Sequence, residues 1–204
     1  MIDKEGYVKY SAEHRNSAAA ETPQWTELNE ARTCLYKLGL VGVNSDGIGF
    51  GNLSVRLNGE SFLISGTKTG AKKVLGKADY CSVISFDIAH NHVESCGPVM
   101  ASSESMTHGA IYHSCFGVNC VIHVHSRAIF DGMIRGGYPS TPPDAAYGTP
   151  EIALAMGKCA GELGNEGQIV MAGHEEGIVV YGAAIERALS LILELYDKYI
   201  MNGG

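Results

Sequence analysis

The sequence predicts an α/β protein whose helices pack on the faces of an antiparallel or mixed sheet. Three observations lead there. Short strand-like runs between Leu53 and Glu94 are broken by turn signals, of which Asn58-Gly59 is the strongest hairpin signal. Helical periodicity marks a segment after Thr26 and a long amphipathic one at Ile185–Tyr199. No β-α-β run opening with G-x-G-x-x-G is present, which disfavours a dinucleotide fold.

In chain order, residues 1–24 are polar and predict an irregular start, with Ala18–Ala20 offering a short helical beginning. Thr26 is placed to cap a helix through Leu28, Ala31, Leu35 and Leu38, which Gly39 stops. The glycine-rich stretch Asn44–Gly51 feeds a strand at Leu53–Leu57, followed across the hairpin by Ser61–Ser65. Gly66-Thr67-Lys68-Thr69-Gly70 is a second turn, whose N–H groups, hydroxyls and neighbouring lysines suit an anion. A loop capped by its own hydroxyls explains that turn equally well, and it is not a Walker loop. Tyr80–Phe86 and His90–Glu94 follow as strands with Asp87 between them; His90 and His92 keep polar company and read as a solvated hairpin.

Ser102 or Ser103 opens a helix through Met106, Ala110, Ile111 and Cys115. Glu104 falls in its first turn, where a carboxylate suits the helix dipole. His108 and His113 read as exposed or satisfied residues of that helix. Asn119–Val124 is a strand, Ser126–Ile134 a helix, and Arg135–Tyr147 a proline-bearing turn region. Thr149-Pro150-Glu151 starts a helix to about Leu163, with proline at its first position. Gln168–Met171 and Gly177–Tyr181 are strands flanking a turn that carries His174. The last helix is built on Ala188, Leu191, Ile192 and Leu195.

With 204 residues the chain is read as one domain, 1–204, able to bury roughly 70% of its unfolded surface. Fifteen basic against 22 acidic residues argue against a nucleic-acid footprint, although Lys68, Lys72, Lys73 and Lys77 form a local basic patch. The six cysteines contain no C-x-x-C, and no apolar run approaches a membrane span. A cytoplasmic protein with reduced thiols is the expectation.

The residues with chemistry to offer centre on Cys120-Val121-Ile122-His123-Val124-His125-Ser126. On a strand the side-chain period of two puts His123 and His125 on one face, close enough to share an ion. Taken alone, the pair fits a solvated edge strand as well as a divalent metal. Four features then fall in order: Gly51-Asn52-Leu53-Ser54, the Thr69-Gly70 turn, Ser102-Ser103-Glu104, and His123-Val124-His125-Ser126, with His174 downstream. This combination, spread over roughly Thr26 to Tyr199, resembles the class II aldolase/adducin family, particularly its sugar-phosphate aldolases.

The resemblance implies a three-layer α/β/α fold around a mainly antiparallel sheet. It also implies Zn2+, or another divalent metal such as Mn2+ or Co2+, held by three histidines, and a homotetramer with sites at subunit interfaces. His123 and His125 match the paired ligands. The third ligand in many members directly precedes the glycine of the last strand, where this chain has Glu176; His174, three residues before Gly177, is the expected ligand and Glu176 the alternative. Glu104 matches the acid/base carboxylate. Asn52, Thr69, Gly70, Ser102 and Ser103 match the residues holding the substrate phosphate, with Ser65-Gly66 a second way to align the turn. The family's tyrosine acid does not carry over residue by residue, leaving Tyr138, Tyr147 and Tyr196 as candidates. The activity implied is cleavage of a ketose phosphate to dihydroxyacetone phosphate and an aldehyde through an enediolate. Pentulose-5-phosphate 4-epimerisation, decarboxylation or thio-sugar-phosphate dehydration are alternatives, as is an adducin-like interaction module without catalysis. No membrane or nucleic-acid partner is expected.

Overall fold

The computed structural model describes residues 8–202. Their elements are β1 (Ser11–Asn16), α1 (Trp25–Lys37), β2 (Gly42–Val43), β3 (Gly49–Phe50), β4 (Asn52–Arg56), β5 (Phe62–Ser65), β6 (Tyr80–Asp87), β7 (His92–Gly97), α2 (Ser105–Ser114), β8 (Cys120–His125), α3 (Arg127–Arg135), α4 (Pro150–Leu163), β9 (Gly167–Val170), β10 (Gly177–Gly182) and α5 (Ile185–Tyr196). Eight strands make one sheet in the order β1-β7-β6-β5-β4-β8-β10-β9, while β2 and β3 pair apart from it. Every contact in the large sheet is antiparallel except β1 with β7.

Alternation along the strands divides the core into two slabs. Val121, Val179 and Tyr181 pack on one face with α2 and α4, through Ala110, Ile111, Ile152 and Met156. Ile122, Val124, Ile178 and Val180 pack on the other with α1, α3 and α5, through Leu35, Ile129, Met133 and Ile192. The large, mostly antiparallel sheet lies between these helices, as the sequence predicts.

Differences from the sequence reading are local. The polar start contains β1, which joins the sheet edge by its backbone ladder to β7 while its side chains stay largely exposed, so no apolar alternation announces it. Ala18–Ala20 form no helix. α1 is capped at Gln24, and Thr26 is already inside it. Glu104 is the cap residue of α2 instead of a first-turn residue, with its carboxylate Oε2 accepting from Thr107 Oγ1 at 2.8 Å. The second strand of the 80–97 hairpin starts at His92 instead of His90, because His90 folds back to Asp87 with Nδ1 2.7 Å from Oδ2. Ser126 caps α3 through its side chain, and α4 spans Pro150–Leu163.

One polar knot crosses the α2 slab. Ser54 Oγ on β4 lies 2.7 Å from His108 Nδ1 and 2.8 Å from Tyr112 Oη, all three fully buried. Ser54→Ala is expected to strand two buried polar groups and to destabilise the protein by about 1–3 kcal/mol, read from the midpoint of urea unfolding.

Candidate active site

The strand period that alternates core residues on β8 places His123 and His125 on the α2/α4 face, where Val121 belongs to the core. Neighbouring strands fix their surroundings: Asn52 of β4 and Val179 of β10 flank His123, and Gly177 stands opposite His125. His174 arrives from the β9–β10 connection, a tight turn in which His174 N–H donates to Met171 O and Gly177 N–H to His174 O. Gly173 seats that turn against residues 142–145, since a Cβ there would stand 1.9 Å from Ala145 O. Gly177 leaves room for the imidazoles; a Cβ on it would lie 2.9 Å from His174 Cδ2 and 3.3 Å from His123 Nε2.

The three histidines therefore meet, with ligand atoms all within 4.8 Å of one another. His125 Nε2 and His174 Nε2 are 3.1 Å apart. Two nitrogens on a tetrahedral zinc stand about 3.3 Å apart, so this spacing suits a shared ion. His123 Nε2 is buried without a hydrogen-bond partner among the described residues, which leaves its lone pair available to a ligand. On the opposite edge of its ring, Nδ1 lies 3.4 Å from Asn52 Nδ2. Burial and the neighbouring imidazoles hold His123 and His125 well below the ordinary imidazole value of 6.5, and burial, reinforced by Lys9, pushes His174 down to about 4. Neutral rings with lone pairs turned inward are the protonation state a divalent metal requires.

Further side chains wall this centre. Tyr147 stacks on His174 at 4.8 Å between ring centroids and 23° between planes. Lys9 lies over the Tyr147 ring, its Nζ 4.1 Å from the centroid and 3.1 Å from Tyr147 O. Phe50 leans on His125 at 5.5 Å. Of the three tyrosines offered by the sequence, Tyr147 is the one at the histidines; Tyr138 and Tyr196 pack on the α1/α3/α5 slab. Glu176 points away, pairing with Arg127 at 3.2 Å. Glu104 is buried at the start of α2, directly after Ser103, and is not part of the histidine group.

Asn52, Thr69, Gly70, Ser102 and Ser103 all line one cavity of about 950 Å³. Its floor is the 66–71 turn, where the N–H groups of Lys68, Thr69, Gly70 and Ala71 have no partner in the described chain. Gly66 and Gly70 are needed for close approach, since a Cβ would stand 2.3 Å from Val99 Cγ2 or from Gly42 O respectively. Thr69 Oγ1 donates to Gly66 O at 2.8 Å, so the hydroxyl proton is used within the turn and the N–H is the donor left open. Ser65 Oγ accepts from Leu53 N–H at 3.2 Å and serves the sheet, whereas Gly66 lines the cavity. Asn52 joins the cavity to the histidines. The basic patch disperses: Lys72 pairs with Asp79 and Lys77 with Glu21, and Lys68 stays exposed at the cavity edge.

The family model of the class II aldolase and adducin N-terminal domain matches residues 28–130. The chain belongs to the class II aldolase and adducin family. Class II aldolases depend on divalent metals, and among the described residues the histidines form the buried group with the ligand chemistry for one, while Glu13, His92 and Glu94 make a second, more exposed cluster on β1 and β7. No curated protein sequence gives a significant match to the chain. Among solved structures, an L-fuculose-1-phosphate aldolase from Thermus thermophilus superposes with a TM-score of 0.65 at 21% identity, over 87% of this chain and 91% of that one. YgbL from Klebsiella pneumoniae, a candidate aldolase/epimerase/decarboxylase, superposes at 0.66 with 20% identity, over 91% and 92%. At such identity these likenesses speak for the fold. No helix among the described residues is long and apolar enough to cross a membrane.

The buried imidazoles give this class II aldolase relative a pH signature. His108, like the three clustered histidines, is held low by burial, at about 3. The unfolded chain therefore takes up protons near 6.5 while the fold resists them. Stability of the metal-free protein is expected to be full above pH 6.5 and to fall steadily as pH drops from 6.5 towards 4. Urea unfolding across that range checks it, and a flat profile would contradict buried neutral rings.

Proposed function

We propose that the chain is a divalent-metal-dependent aldolase, a carbon–carbon lyase that cleaves a ketose phosphate to dihydroxyacetone phosphate and an aldehyde. The observation that carries this reading is one juxtaposition: three buried neutral imidazoles beside a cavity floored with open N–H donors, bridged by Asn52. In this reading His123, His125 and His174 are the ligands of zinc or a similar ion such as manganese or cobalt. When bound, that ion would supply Lewis-acid polarisation of a substrate carbonyl and its neighbouring hydroxyl.

The protein's own groups do the rest. A ring that ligates through Nε2 carries its proton on Nδ1 and needs an acceptor there. Turning the Asn52 carboxamide over would present Oδ1, now buried without a partner, to His123 Nδ1 and satisfy both atoms. Glu104 moves the proton between the substrate carbon and oxygen atoms, with Thr107 Oγ1 steadying one carboxylate oxygen. Ser102, Ser103, Asn52 and the Thr69-Gly70 amides hold the phosphate and fix the reacting carbons by remote binding energy. Tyr147, stacked on His174, is the tyrosine placed to serve as an acid. One domain, residues 1–204, carries this machinery, acting in the cytoplasm as a homotetramer with sites at subunit interfaces.

A second reading keeps the same site and changes the reaction to epimerisation, decarboxylation or dehydration of a sugar phosphate. Its support is that YgbL, whose description spans aldolase, epimerase and decarboxylase, superposes as well as the fuculose-phosphate enzyme. A non-catalytic, adducin-like role would give no reason to bury three imidazoles around one point.

Zinc, manganese and cobalt forms should be assayed against a panel of ketose phosphates for aldehyde and dihydroxyacetone phosphate. Release of both with at least one substrate is expected. His123→Ala and His125→Ala should each lose the metal, measured by elemental analysis; full occupancy in either would remove the ligand assignment. Glu104→Gln should keep the metal and lose about 10²–10⁴ in turnover.

A further inference from the structure

α1 sends one side chain beneath the anion turn. Arg32 is 3% exposed, and its guanidinium donates to four main-chain carbonyls. Nη1 reaches Lys72 O and, at 3.0 Å, Lys73 O; Nη2 reaches Thr69 O at 3.4 Å and Gly70 O at 3.3 Å. Among the described residues it has no carboxylate within ion-pair distance, because Asp79 is engaged by Lys72 Nζ and the Gly76 amide. Burial lowers its pKa, yet a guanidinium stays charged at any pH the protein meets. Apart from the Tyr36 ring, over which the guanidinium lies at 4.7 Å, this buried cation is spent on one loop's carbonyls, which is costly and needs a reason.

Peptide geometry supplies it. In a trans peptide the N–H points opposite to the carbonyl of the preceding residue. With Thr69 O and Gly70 O drawn down to Arg32, the N–H groups of Gly70 and Ala71 face the other way, and neither has a partner in the described chain. Both residues line the cavity.

We propose that Arg32 is a positioning residue for a phosphomonoester group bound at this turn. It holds the carbonyls away from the cavity, keeps the donors turned into it, and places a positive charge behind the peptide dipoles. This rests on the reading of the cavity as the phosphate site. A merely structural Arg32, tying α1 to the turn, would leave anion affinity untouched in any variant that folds.

Inorganic phosphate is titrated calorimetrically onto the full chain after chelator dialysis, with amide hydrogen exchange followed in parallel. The wild type should bind phosphate and show slowed exchange at Gly70 and Ala71. Arg32→Lys should weaken binding about tenfold and Arg32→Gln further, each with unchanged circular dichroism. Protection at Gly70 and Ala71 together with wild-type affinity in either folded variant would overturn the role of Arg32 while sparing the phosphate site. Absence of wild-type binding, or binding without that protection, would overturn both, and needs no variant to fold.

Discussion

β8 is buried on both faces, and that constraint decides what two histidines on it can do. On an exposed strand His123 and His125 would be satisfied by water. Inside this sheet, with β4 and β10 on either side and helices above and below, each ring nitrogen must find a partner in the protein or in a ligand. His125 Nε2 and His174 Nε2 meet at 3.1 Å, where one neutral ring can donate to the other, while His123 Nε2 has no hydrogen-bond partner among the described residues. Burial holds all three imidazoles towards the neutral form. Three neutral imidazoles with ligand atoms this close have the chemistry a divalent cation asks for.

Holding the rings in place is a matter of space as much as of bonds. Gly177 and Gly173 let two backbone segments come within contact of the imidazoles and of residues 142–145, so the β9–β10 turn can deliver His174. The same logic shapes the cavity, where Gly66 and Gly70 bring the anion turn against Val99 and Gly42. A methyl group at any of these positions would push apart elements whose separation defines the site.

Much of this is legible in the sequence because it is encoded by local period and punctuation. Alternation on β8 puts His123 and His125 together, Asn58-Gly59 sets the hairpin, and proline at the first position fixes the start of α4. The five residues matched to a phosphate site do share one cavity. What escapes a sequence reading is encoded in nothing local. β1 has polar side chains and joins the sheet through its backbone ladder and side-chain hydrogen bonds such as His14 to Ser95, without an apolar face. Lys9 reaches Tyr147 across 138 residues, and Arg32 reaches the turn across 40, with no motif at either end. The sequence places the start of α2 too early because Ser102 and Ser103 each make a plausible cap, whereas the helix begins only after Glu104, which caps it without a side-chain hydrogen bond to the helix amides.

Besides Phe50 of β3, which lines the cavity and leans on His125, the cavity and the histidine centre share β4. Asn52 opens that strand, facing His123 across the ladder and lining the anion cavity; Ser54, two residues on, ties the strand to α2 through His108 and Tyr112. α2 in turn begins at Ser102-Ser103-Glu104, so the hydroxyls at the cavity and the buried carboxylate are held by the same knot that fixes Asn52. The distance between the cavity and the histidines is thereby set by a strand and a buried hydrogen-bond network, and not by loops. An enzyme that uses the binding of a remote phosphate to align reacting carbons requires that separation to be fixed before the substrate arrives.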